Sequence, residues 1–244
     1  MKNVLELALE AHGGLTRWSQ LKTVTADLSV TGALWQIKGH APELQQIRIE
    51  AELHRQELTT HFRDQDKRTT FTPNSVTVET EGGRLLQSRE NPRSSFDGQL
   101  LNSPWDELHV AYFNSYALWT YLTVPFLYTF PGFETEELSP WHEDGEMWRP
   151  LRVSFPHGIA SHSREQISYF GPDGLLRRHE YRVDVLGGAP GLNYAHEFRE
   201  VDGIMVAMKR RVYSFDTDKR KIAEPVLVAI DIHDIAFMAR MGGT

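Results

Sequence analysis

Residues 24–31 read VTADLSVT, and most of the chain repeats the alternation seen in this stretch. Apolar side chains occupy every second position with polar ones between them, which is typical of a strand with one dry face and one wet face. The same period returns at 46–53, QIRIEAEL. Residues 33–39 are predicted to form another strand, with Trp35 and Ile37 on one side. Turn-like clusters separate further predicted strands at 56–63, 68–72, 75–81 and 84–89.

The second half of the chain returns to this period after a central interruption. GPDG at 171–174 and VDG at 201–203 are typical of tight turns between antiparallel strands. Strands are predicted at 148–155, 163–171, 175–186, 193–201, 204–215 and 225–237. Residues 139–147 are predicted to form an exposed loop, and Arg178 and Arg182 are expected to face solvent because they alternate with the apolar set.

Two segments with a different period predict helices. Residues 3–12 place apolar side chains on one side of a helix, and the glycine pair after them favours its end. Asp106 is a suitable N-cap for a central helix over 106–122. Because no regular βαβ alternation is present, we predict a mainly β (α+β) fold over 1–244 as a single domain. It would be a large curved antiparallel sheet or incomplete barrel with an N-terminal helix and central covering helices.

Composition and charge exclude several classes of protein. The chain has 40% apolar and 24% charged residues, as globular proteins do. It contains no cysteine, which excludes disulfide scaffolds, thiolate metal sites and cysteine nucleophiles. A net charge of −7 argues against a nucleic-acid partner.

The sequence does not predict an integral membrane protein. The longest apolar stretch, 110–130, is interrupted by polar residues and a proline. Glu6 and Glu10 break the apolar run near the N-terminus, so no signal-peptide pattern is found. A cytoplasmic location is therefore expected.

Aromatic side chains are concentrated in one part of the chain. Of the 12 Phe, 8 Tyr and 6 Trp, nine lie within residues 112–133. Tyr112, Tyr116 and Trp119 share one face of the predicted helix, and Phe126 lies just beyond it. Either this helix packs into the mouth of the sheet as core, or it is a lid whose rings line a ligand pocket.

Two histidine–tyrosine pairs also stand out. His179 and Tyr181 are two residues apart, so they share a strand face, and Tyr194 and His196 do the same. If their strands form a hairpin, Tyr181 and His196 could approach each other across it. Three interpretations stay open: hydrogen-bonded histidines of a half-buried face, polar anchors for a ligand head group, or acid–base catalysts. The last is the least favoured, because no carboxylate shares that face to orient an imidazole.

The order of elements resembles the bacterial lipoprotein-carrier fold of the Lol-type carriers and their relatives. The matching stretches are 11–32, 169–188, 198–215 and 226–237. In that family an incompletely closed antiparallel barrel wraps a hydrophobic cavity, and helices cover the opening. The resemblance therefore implies a half-barrel with an apolar cavity. The second half also resembles a group of uncharacterised bacterial proteins through GLLRRHEY and GGAPG.

Together these observations predict a protein that binds a hydrophobic or amphipathic small molecule in a sheet cavity covered by the aromatic helix. No catalytic residue, metal ligand or cofactor is predicted, and no oligomeric state can be predicted from the sequence. Two alternatives are kept: an enzyme using His179, His196 and Tyr181 in that cavity, and a partner-binding protein that docks through the aromatic helix. The candidate ligand-binding residues are Trp35, Tyr112, Tyr116, Trp119, Phe126, His179, Tyr181, Tyr194 and His196.

Overall fold

A computed structural model describes residues 2–40 and 44–240 of the chain. Two short helices precede the sheet, α1 over Val4–Ala11 and α2 over Gly14–Gln20. Asn3 and Glu6 form a capping box at the start of α1, each side chain accepting from the other's backbone N–H. The predicted N-terminal helix is therefore present.

The described residues 2–40 and 44–240 form fifteen strands, of which twelve lie in segments predicted from the two-residue period and three, at 134–137, 141–143 and 221–222, were not predicted. In the first half they are β1 (Leu21–Thr31), β2 (Ile47–Glu52), β3 (Glu57–Phe62), β4 (Arg68–Thr72), β5 (Ser75–Glu79) and β6 (Leu85–Glu90). Then come β7 (Glu134–Glu137), β8 (Trp141–Glu143), β9 (Glu146–Ser154), β10 (Glu165–Phe170) and β11 (Leu176–Val183). The last are β12 (Ala189–Val201), β13 (Ile204–Phe215), β14 (Lys221–Ile222) and β15 (Val228–Ala239).

The strands form one curved antiparallel sheet that does not close into a barrel. Its order is β6-β5-β4-β3-β2-β1-β15-β13-β12-β11-β10-β9-β7, with β14 beside β13 and β8 beside β9. The first and last long strands pair near the middle of the sheet, where Val24 lies opposite Phe237. Strands β6 and β7 are left as its free edges. The predicted fold class is confirmed.

The central helix α4, Glu107–Thr123, covers one face of this sheet. Asp106 caps it, accepting a hydrogen bond from the His109 backbone N–H at 2.9 Å. Every residue from Leu108 to Tyr121 is buried. A helix buried on all sides lies inside the molecule, so the aromatic segment is enclosed by its own chain.

The prediction for residues 33–39 is wrong, because this segment is a helix. Helix α3 runs over Ala33–Lys38 and buries Leu34, Trp35 and Lys38, which lie on one side of a helical turn. Ile37, expected beside Trp35, is exposed instead. The Lys38 ammonium donates to the backbone carbonyls of Leu100 and Ser103, which holds the helix against the loop before α4.

The exposed loop predicted at 139–147 is a hairpin of β8 and β9. Asp144 and Gly145 have φ angles of +50° and +79°, which suits a tight turn between two strands. The hairpin covers the outer face of the sheet over Arg178, whose side chain is fully buried between Glu143 and Glu180. The expectation that Arg178 faces solvent is therefore wrong, since the alternation of β11 cannot reveal that another hairpin lies on its wet face.

Within the described ranges 2–40 and 44–240, no helix is both long and apolar enough to cross a membrane.

Candidate functional site

A cavity lies between α4 and the covered face of the sheet. Phe113, Ala117 and Tyr121 recur every four residues on the side of α4 that faces it, and Asn114 and Leu118 line it beside them. The opposite wall comes from β1, β11, β12, β13 and β15, and Trp35 of α3 closes one side. The wall residues of the strands are Val30, Tyr181, Val183, Ala189, Pro190, Gly191, Val212, Ser214, Val228 and Ile230.

The cavity has a volume of about 130 Å³ and is open on one side. A protein cavity of about 150 Å³ accommodates benzene, so this cavity holds a group of about six carbons. Leu101 lies at the mouth and is 42% exposed. A longer ligand would therefore extend out of the cavity past Leu101.

A chain of hydrogen bonds reaches the cavity wall. The Tyr181 and Tyr121 hydroxyls lie 2.7 Å apart, and the Tyr121 hydroxyl lies 2.8 Å from His162 Nε2. His162 Nδ1 lies 3.1 Å from the Tyr116 hydroxyl. The His162 ring also stacks on the Tyr181 ring, with centroids 4.1 Å apart. We call Tyr181, Tyr121, His162 and Tyr116 the tyrosine–histidine chain.

Burial keeps every member of this chain neutral. Desolvation lowers the pKa of His162 well below its usual value and raises the pKa of Tyr116, Tyr121 and Tyr181. A neutral imidazole donates through one nitrogen and accepts through the other. The hydrogen bonds can therefore run in either direction along the chain.

Reversing this direction changes what Tyr181 offers to the cavity. In one direction Tyr116 donates to His162, His162 donates to Tyr121, and Tyr121 donates to Tyr181. The O–H of Tyr181 then has no acceptor in the tyrosine–histidine chain and can donate to a ligand. In the reverse direction Tyr181 donates to Tyr121, and its oxygen can accept from a ligand donor. The cavity wall can thus satisfy either kind of polar group.

Of the residues expected to bind ligand, Trp35 and Tyr181 line the cavity and Tyr116 belongs to the tyrosine–histidine chain. His179 lies on the same face of β11 as Tyr181, two residues away along the strand. Their shared face, predicted from the spacing, is present.

Three further candidates are buried but do not line this cavity. Tyr112 lines a separate polar depression with Arg93. Trp119 donates from Nε1 to the Glu52 carbonyl at 2.7 Å. Phe126 stacks on Trp18 with ring centroids 4.3 Å apart.

Tyr194 and His196 lie on the opposite face of the sheet. Tyr194 packs with Trp148, Tyr169 and Leu192, and His196 is exposed. Tyr181 pairs with Gly191, whereas His196 pairs with Lys209, so the expected approach of Tyr181 to His196 does not occur. The turn after β11 is tighter than the sequence suggests, and β12 begins at Ala189 rather than near 193.

Sequence reasoning left out His162 and Tyr121, although both contact the cavity. Tyr121 was visible as one more aromatic residue of the central helix. His162 lies in a segment without periodicity, PHGIASHS, and no local signal distinguishes it from the other histidines. Only its position beside three tyrosines from α4 and β11 identifies it.

Comparisons with known proteins support the fold. No protein-family model matches the chain, and no curated protein matches it. The structure of a LolA superfamily protein from Nitrosomonas europaea has a TM-score of 0.55 and 10% identity, covering 98% of this chain and 93% of that one. The structure of a domain from Vibrio parahaemolyticus, described as an outer membrane lipoprotein-sorting protein, has a TM-score of 0.56 and 12% identity. The match covers 98% of this chain and 95% of that one. The Lol-type fold is thereby confirmed, and at such identities the likeness concerns the fold alone.

Proposed function

We propose that the protein binds a hydrophobic or amphipathic small molecule in the cavity beneath α4. The observation that carries this proposal is a mostly apolar cavity with an open mouth, reached at one wall by hydrogen-bonding groups that are otherwise satisfied. Burial of apolar ligand surface stabilises a complex by about 25 cal/mol per Å². Sites of this composition are typical for small molecules, with a few polar groups that fix the orientation.

The size of the cavity narrows the ligand class. A cavity volume of about 130 Å³ suits one hydrocarbon chain or one small ring better than several chains side by side. The Tyr181 hydroxyl would orient a single polar group at that wall. We therefore favour a single-chain amphiphile over a lipid with two or three acyl chains. The lipoprotein-sorting description of the Vibrio parahaemolyticus domain is compatible with an apolar ligand of this kind.

The proposal is tested by filling the cavity from α4. Ala117→Leu places a larger apolar side chain at the cavity wall. We expect the neutral fluorophore phenylnaphthylamine to bind the unaltered protein and to lose at least about tenfold in affinity with Ala117→Leu. Ala236→Leu adds the same side chain at an exposed position of β15 and should leave the affinity unchanged.

Failure of the unaltered protein to bind the fluorophore would contradict the proposal. Equal binding by the Ala117→Leu variant would place the bound fluorophore outside this cavity and contradict it too. Native mass spectrometry of the purified protein, followed by solvent extraction, then identifies the ligand acquired during expression.

The two alternatives receive less support. A protein that docks through the aromatic helix needs exposed rings on it, and the rings of α4 are buried. An enzyme using His179 with His196 needs both in one space, but they lie on opposite faces of the sheet. The cytoplasmic location stays a prediction from the sequence, and cell fractionation tests it.

A further inference from the structure

Three polar side chains lie on the covered face of the sheet just beyond the cavity. His179 is two residues from Tyr181 on β11, Asn193 is two residues from Gly191 on β12, and Arg210 is two residues from Val212 on β13. Tyr181, Gly191 and Val212 all line the cavity. Residues two apart on a strand share a face and lie about 7 Å from each other. We call His179, Asn193 and Arg210 the polar row.

The strand register holds this row together. His179 pairs directly with Asn193, and Arg210 pairs with Ala195, two residues farther along β12. All three side chains are buried. Tyr121 lines the cavity and also contacts the row, with the Arg210 guanidinium carbon 5.0 Å from its ring centre and the His179 ring centre 6.3 Å away.

Most polar atoms of the row have no hydrogen-bond partner in the described part of the chain. Both ring nitrogens of His179, both amide atoms of Asn193 and Nη1 of Arg210 are buried without a well-formed hydrogen bond, although the Asn193 side chain lies close enough to the Tyr121 hydroxyl to act on its pKa. Each such atom destabilises the fold when nothing compensates for its lost hydration. Five of them in one place is far from the ordinary state of a protein interior, where nearly all buried polar groups are paired.

The charge of Arg210 is the costliest feature of the row. Among residues 2–40 and 44–240 no carboxylate lies within ion-pair distance of its guanidinium, although Arg178 on the outer face has two. Its Nη2 donates to the Tyr121 carbonyl at 2.9 Å, near the end of α4. This bond caps the helix but supplies no negative charge to balance the arginine.

The unpartnered groups include donors from all three residues. Arg210 offers N–H groups, the Asn193 amide offers two, and a neutral imidazole at His179 offers one. Burial lowers the pKa of His179 to about 3, so its ring is neutral near pH 7 and donates from one nitrogen only. A planar monoanion matches one arginine in charge and can accept from several such donors at once.

We propose that the polar row is a receptor for the carboxylate of a single-chain amphiphile, an inference that rests on the proposed function of the cavity. The carboxylate contacts Arg210, Asn193 and His179. The hydrocarbon chain passes the Tyr121 ring and fills the apolar cavity toward its mouth. The ligand class is then a fatty acid rather than an uncharged lipid.

The test compares two ligands of equal length, decanoate and decanol, by displacement of phenylnaphthylamine at neutral pH. We expect decanoate to bind at least about 30-fold more tightly, the effect of one buried charged contact worth about 2 kcal/mol. Arg210→Met should remove this difference while decanol binding stays within about threefold.

Arg211→Met is the matched control. Arg211 is the next residue of β13, and its guanidinium pairs with Asp231. The same change of net charge there should leave the preference for decanoate unchanged. Asn193→Leu, which keeps the arginine that caps α4, should reduce the preference at least about fivefold. It serves if Arg210→Met fails to fold, as judged by circular dichroism.

The outcomes separate the two proposals. If decanol and decanoate displace the fluorophore equally and neither variant alters this, the cavity binds ligand but the carboxylate receptor is refuted. If Ala117→Leu binds the fluorophore as well as the unaltered protein does, the cavity proposal fails, and the receptor fails with it. Tighter binding of decyl phosphate than of decanoate would overturn the choice of a carboxylate.

Discussion

At the scale of single residues, Gly191 determines how Tyr181 lies in the cavity wall. A Cβ atom at this position would come within 2.5 Å of Cε2 of the Tyr181 ring. We therefore expect Gly191→Ala to displace the ring, weaken the tyrosine–histidine chain and destabilise the fold by about 1–3 kcal/mol. Urea unfolding measures the stability, and phenylnaphthylamine titration measures the effect on the cavity.

Gly158→Ala is the matched control for this substitution. A Cβ at Gly158 meets no atom within 4 Å, so its stability should change by less than about 0.5 kcal/mol. If Gly191→Ala is as stable as Gly158→Ala, the close packing of Tyr181 on Gly191 does not matter to the fold.

Buried histidines make stability depend on pH at the same scale. Burial lowers the pKa of His12 to about 4 and of His179 to about 3, and it also lowers that of His162 well below 6.5. The unfolded chain takes up protons below about pH 6.5 and the folded chain does not. Their contribution to stability is therefore complete above about pH 6.5, and it is lost as the pH falls toward the folded pKa values.

His12→Gln tests this pH dependence. Each of these three histidines should contribute about 1.4 kcal/mol per pH unit to the fall in the free energy of unfolding between about pH 6 and pH 4. In the His12→Gln variant, the free energy of unfolding should therefore fall less steeply with decreasing pH, by the contribution of one histidine. Urea unfolding at several pH values measures this. His233→Gln, at an exposed position, is the comparison variant. Identical slopes for both variants would contradict the prediction.

At the scale of elements, the hairpin of β8 and β9 is held to the sheet through Arg178. The guanidinium stacks 3.9 Å from the centre of the Tyr169 ring and 5.0 Å from that of Trp141. Glu143, from the hairpin, accepts from both Arg178 and the Tyr194 hydroxyl. One carboxylate thus joins three strands.

We expect Glu143→Gln to destabilise the protein by about 2 kcal/mol. Removing one partner of a buried ion pair usually costs about 3–5 kcal/mol, and here Glu180 still pairs with Arg178. Chemical denaturation gives the magnitude, and limited proteolysis shows whether the hairpin is released. Glu134→Gln at exposed β7 should cost less than about 0.5 kcal/mol. Equal stability of the two variants would show that Glu143 does not anchor the hairpin.

At the scale of the whole molecule, the open sheet and the enclosed helix set how much ligand can be held. We expect affinity for primary alcohols to rise about fourfold per methylene, from about 0.8 kcal/mol each, while the chain fills the cavity. The gain should diminish beyond about six carbons, where the chain reaches the mouth. Fluorophore displacement across the alcohol series measures this. A constant increment up to dodecanol would show instead that α4 moves aside and enlarges the cavity.

Much of this architecture is predictable from local pattern. The alternation of apolar and polar residues predicts most of the strands, because one face of each strand is buried and the other is not. The helix over 107–123 is predicted by its cap at Asp106 and by an apolar composition without strand period. The pattern fails at Trp35, because a short apolar run fits one helical turn as well as a strand. It also fails at 139–147, where the many polar residues predict an exposed loop. This segment instead contains a hairpin with a turn at Asp144 and Gly145.

The sequence by itself therefore determined a mainly β fold with an aromatic helix over the sheet, since periodicity and capping are local properties. It also indicated His179 and Tyr181 as neighbours on one face. Only the tertiary structure decided that His162 completes the tyrosine–histidine chain, that His196 lies on the other face, and that Arg210 is buried with no carboxylate of the described residues beside it. Those facts depend on strand register and on which segment covers which face, and both are set by contacts between residues far apart in the chain.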